Sequence, residues 1–94
     1  MSRTYRARMV DVLTPGETTY DFDGRDDLMA DTPVRIVRTF FDTIDHRLFA
    51  VAHRDWEVNA AMKRGSPEVA CVLGVLHRDE GAPAPFAVFV GPKG

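Results

Sequence analysis

The chain is 94 residues long, 45% hydrophobic and 28% charged, with a formal net charge of −2. That length holds one domain, residues 1–94, whose folding buries roughly 60–70% of the unfolded surface around a single modest core. It excludes two-domain clefts, propellers, solenoids and large multi-motif enzymes, and the slight acidity makes a nucleic-acid partner held by overall charge unlikely.

Charge is uneven along the chain. Arg3, Arg6 and Arg8 open it without an acid, and residues 11–31 then carry Asp11, Glu17, Asp21, Asp23, Asp26, Asp27 and Asp31 against Arg25 alone. A solvated acidic loop beside an arginine-bearing strand accounts for this. Cys71 is the one cysteine, so no intrachain disulfide can form and a reducing, cytoplasmic location is expected. No apolar run approaches the roughly 18 residues of a membrane span, and no membrane partner is expected.

Residues 3–13 read as a strand: Tyr5, Ala7 and Met9 alternate with Thr4, Arg6 and Arg8. The apolar phase slips by one at Val10, which predicts a bulge near Met9–Val10 or a change of covered face. Thr14-Pro15-Gly16-Glu17 is turn chemistry, and residues 18–22 read as the return strand of a hairpin. Residues 25–31 form a polar, acidic connector.

A helix is predicted over 33–46. Thr32 is an N-cap residue and Pro33 suits the first helical position, where its missing N–H costs nothing. At about 100° per residue, Val34, Ile36, Val37, Phe40, Phe41 and Ile44 share an arc of about 160°. Arg35, Arg38, Thr39, Asp42, Thr43, Asp45 and His46 fill the other half. A short apolar run, 48–52, follows. Asp55 as cap, Lys63 and Arg64 in a last turn and Gly65-Ser66-Pro67 as a stop predict a second helix over 56–64, although its apolar face is ragged.

Residues 69–78 read as a strand with Val69, Cys71, Leu73 and Val75 on one face and Ala70, Val72 and Leu76 on the other. After a loop over 79–85, Phe86 to Val90 read as the last strand. The expected fold is α+β: a four-stranded, mainly antiparallel sheet in the order ββααββ with two helices packed on one face. Two helices cannot cover both faces of strands that are apolar on both sides. A second copy of the chain is the simplest cover, and Val75, Phe86, Val88 and Val90 are the candidate interface residues.

Motifs of chemistry are weaker. His53-Arg54-Asp55 lacks the asparagine that a kinase catalytic loop requires after four intervening residues, and the acidic loop places Ala30 where a calcium hand requires a bidentate carboxylate. His46, His53, His77 and Cys71 show no zinc-ligand spacing, so no metal and no cofactor are expected. The segment from Val37 to Asp45, VRTFFDTID, resembles the helix that opens small cone-shaped α+β domains of the NTF2/SnoaL type. That family places its helices before a longer curved sheet, whereas a hairpin comes first here, and no catalytic residue is carried over.

Three readings of function follow. The first is a cytoplasmic homodimeric binding or accessory protein of unknown ligand. The second is a small-ligand enzyme with a pocket at the start of the second helix, where free N–H groups would stand beside His53, Arg54, Trp56 and Asn59. The third is anion or RNA binding through Arg6 and Arg8 on one strand face.

Overall fold

The computed structural model describes residues 2–11, 16–43, 55–77 and 82–93. It contains β1 (Ser2–Asp11), β2 (Glu17–Arg25), a 3₁₀ turn (Leu28–Ala30), α1 (Pro33–Thr43), β3 (Asp55–Gly65), β4 (Glu68–His77) and β5 (Ala84–Pro92). The five strands form one antiparallel sheet in the order β2-β1-β5-β4-β3, with α1 packed on one face. The architecture is α+β, with five strands and one helix where the sequence pattern had predicted four and two.

The difference lies in residues 56–64, which are strand and not helix. Trp56 and Val58 alternate toward the helix-covered face, but the register shifts between Val58 and Ala60. One extra residue there moves Ala60 and Met62 to the opposite face and destroys the period of two that marks a strand. The Gly65-Ser66-Pro67 signal is a tight hairpin turn, since Gly65 pairs with Glu68 across Ser66 and Pro67. Tertiary pairing along β4 supplies the backbone hydrogen bonds that a helix would have made internally.

The bulge predicted at Met9–Val10 is absent: β1 runs in continuous register against both β2 and β5. Met9 is buried and Val10 is 42% exposed, so the slip in apolar phase is an outward-facing valine. The connector after β2 is less polar in effect than in composition, because its 3₁₀ turn buries Leu28 and Met29 in the core.

α1 begins as its sequence dictates. The Thr32 hydroxyl accepts the Arg35 N–H at 3.4 Å and the Thr32 carbonyl accepts the Ile36 N–H at 3.0 Å. Ile36, Val37, Phe40 and Phe41 are buried, while Arg35, Arg38, Asp42 and Thr43 are exposed. Residues 44–46 of the predicted helix and the run 48–52 lie outside the described residues.

The core is the layer between α1 and the sheet. Tyr5, Ala7 and Met9 from β1 meet Phe22, Ala70, Val72, Leu76, Ala84, Phe86, Val88 and Val90 there. Two helix rings join its halves: Phe40 lies 5.4 Å from Phe22 and 5.7 Å from Tyr20, and Phe41 lies 5.7 Å from Phe86 and 5.0 Å from Trp56. These are tilted and edge-on geometries, the favoured arrangements of aromatic pairs. No helix among the described residues is long and apolar enough to cross a membrane.

Candidate functional site

Among the described residues, one helix covers one face of the sheet and none packs on the opposite face. Its side chains follow from strand alternation and register. One row runs Glu17, Val10, Ala87, Leu73, Ala60 from β2 to β3, and the next runs Thr19, Arg8, Phe89, Cys71, Met62. Leu73 is 43% and Met62 66% exposed, while Val69, Val75, Ala87 and Phe89 are half-buried. Cys71 is covered by its neighbours, and this burial pushes its thiol pKa up, which disfavours the nucleophilic thiolate.

Charges of both signs border these rows. Asp21 accepts a hydrogen bond from Arg6 Nε at 3.0 Å and pairs with Lys93 at 2.9 Å. The hydrogen bonds from Arg6 and Lys93 lower its carboxyl pKa to about 2, and the same contact raises that of Arg6. Thr4 donates to Asp23 at 2.9 Å, and Glu57 meets His77 at 3.1 Å on the β3 side. Arg8 differs from Arg6. Among the described residues it makes no ion pair, and its guanidinium stands 5.7 Å from the centre of the Phe89 ring.

At the end of this face nearest the Ser66–Pro67 turn lies an open cleft of about 210 Å³. Arg6, Arg8, Phe89, Val69, Pro67 and Glu68 are among the residues that line it. Gly91, which pairs with Arg6, also lines it, and the Glu68 backbone approaches this glycine closely. A Cβ there would stand 2.9 Å from the Glu68 carbonyl oxygen, too close for an undisturbed contact.

The residues singled out from sequence that the structure describes lie on different parts of the sheet. His53 and Arg54 lie outside the described residues. Trp56 is half-buried on the helix side, against Phe41 and Phe86, with the Arg38 guanidinium 5.7 Å from its ring. Asn59 is exposed at the β3 irregularity. Since Asp55–Gly65 is a strand, the helix N-terminus on which a pocket near these residues depended does not exist. Phe86, Val88 and Val90 point under α1 and are buried within the protomer, whereas Val75 lies on the open face.

Leu73, Met62, Phe89 and Gly91 were not recognised as a site from sequence, although the alternation in 69–76 already separated Leu73 from Val72. Among the described residues, no three His, Cys, Asp or Glu side chains gather as metal ligands. Comparisons with known protein families, with curated proteins and with solved structures found no match to this chain.

Proposed function

We propose that the protein is a homodimeric binding protein whose two copies pair through the open face of the sheet. The observation that carries this reading is the contiguous outward set Val10, Leu73 and Met62, exposed at 42, 43 and 66% around Phe89 and Ala87. With strands about 4.8 Å apart and about 3.4 Å per residue, the apolar centre spans ~300–400 Å² in plan. A standard dimer buries about 800 Å² per partner, an apolar centre within a polar rim. The bordering charged residues Arg6, Arg8, Glu17, Glu57 and Arg64 provide that rim.

A second copy fits better than a partner of one charge. An isologous contact sets a patch against itself, so it requires a flat apolar centre and a border of mixed sign. Both are present. Two such faces pack about 10 Å apart with their strands within about 30° of each other. The acidic β2 beside the arginine strand disfavours a polyanion on the same face.

Light scattering and sedimentation at micromolar concentration test this reading. The wild type is expected at twice the chain mass, and Leu73→Glu at the chain mass with an unchanged far-UV circular dichroism spectrum. Leu73 suits the test because it lies outside the core, whereas a charge at Val88 would test folding instead. A monomeric wild type, or a Leu73→Glu protein that stays dimeric, refutes the pairing.

A further inference from the structure

We infer that the cleft beside Arg8 is a binding site for a small aromatic carboxylate. The cation comes first. Arg6 is held by Asp21 at 3.0 Å, so its charge is largely answered within the chain. Arg8 stands two residues further along the same strand face, exposed, with only the Phe89 ring as its partner among the described residues. A guanidinium over an aromatic ring is aimed by that contact but keeps its in-plane N–H groups free. Those groups form the fork that matches the two oxygens of a carboxylate.

The shape selects what the carboxylate is attached to. The cleft is open, and Phe89, Val69 and Pro67 give its lining an apolar part beside the two arginines. Its volume of about 210 Å³ leaves room for one ring bearing one acid group. Glu68 also lines the cleft, with its carbonyl oxygen toward Gly91. Bare phosphate would find one arginine without an ion pair among the described residues and acidic β2 alongside, whereas an aryl acid gains the Phe89 and Val69 surface as well.

Benzoate is the probe, followed by amide chemical shifts of the isotope-labelled chain. Wild type and the Leu73→Glu protein are titrated in parallel, so that pairing of two copies does not mask the cleft. Saturable shifts are expected at Arg8, Val69, Phe89 and Gly91 in at least the Leu73→Glu protein, with benzoate binding tighter than acetate or inorganic phosphate. Arg8→Gln in the same background, an exposed change, is expected to weaken benzoate about tenfold or more.

No saturation in either protein, or equal affinity after Arg8→Gln, overturns the site. Phosphate or acetate binding as tightly as benzoate overturns its aromatic selectivity. A monomeric wild type would remove the dimer reading and leave every one of these outcomes as stated.

Discussion

Gly74 sits where two strands approach more closely than any side chain allows. It pairs with Val58 beside the β3 irregularity, and it faces the core. A Cβ built there would fall inside the Glu57 carbonyl oxygen, 3.1 Å from the Glu57 carbonyl carbon and 3.0 Å from a Phe86 ring carbon. The neighbour is backbone, so no rotamer change relieves the contact and β3 must move away. Overpacking of this kind costs about 1–3 kcal/mol. Displacing β3 from Gly74 also weakens one or two ladder hydrogen bonds at about 1 kcal/mol each.

Against this, alanine restricts the unfolded chain and returns about 0.4–1 kcal/mol. The net loss for Gly74→Ala is therefore about 1–5 kcal/mol, a large share of the roughly 5–14 kcal/mol expected for a chain of this size. At about 4–8 °C per kcal/mol, its Tm should fall by at least about 4 °C. Gly65→Ala is the control, because nothing lies within 4 Å of a Cβ at that position. Thermal and urea unfolding followed by circular dichroism compare the two. If Gly74→Ala and Gly65→Ala unfold alike, the close approach of β3 to β4 is not as described.

Two further outcomes test the core and the charged border. Phe40→Ala removes a fully buried ring that touches Tyr20, Phe22 and Phe41, and should cost about 3–5 kcal/mol in urea unfolding; a loss under about 1 kcal/mol would contradict its central position. Asp21 has its pKa lowered from 3.8 to about 2 in the folded chain, so its pairs contribute stability above the unfolded value that is lost as pH falls toward about 2. Carboxyl NMR titration should find Asp21 near that value and shift it upward in Arg6→Gln, and Asp21→Asn should flatten the acid limb of the stability curve. An Asp21 that titrates near 3.8 in the wild type refutes both contacts.

How much of this was legible depended on whether the signal was local. The helix announced itself because cap, first-turn proline and apolar stripe all act within a few residues, and Thr32, Pro33 and Phe40 stand as that pattern requires. β4 was legible as a run apolar on both faces, and β1 with β2 through a period of two, while the predicted turn between them lies largely outside the described residues. Residues 56–64 were misread because one irregular residue halves the alternation. Lysine and arginine before glycine and proline also end a hairpin strand as readily as a helix.

The open face was half legible. Alternation showed that β4 and β5 are apolar on both sides, and so that one side needed a cover beyond the helices. It did not show which side. Val88 and Leu73 are equivalent by composition, and one is fully buried while the other is 43% exposed only because α1 lies over the first.

By itself, then, the sequence determined one small α+β domain, its capped helix, its two-sided apolar strands and the expectation of an uncovered face. Tertiary structure decided the fifth strand, the pairing of β1 with β5 from opposite ends of the chain, and the meeting of Arg8, Phe89 and Gly91. The reason is the range of the forces that settle each. Caps, turns and periodicity act between near neighbours, whereas strand order and the choice of buried face are set by contacts between residues that no local pattern links.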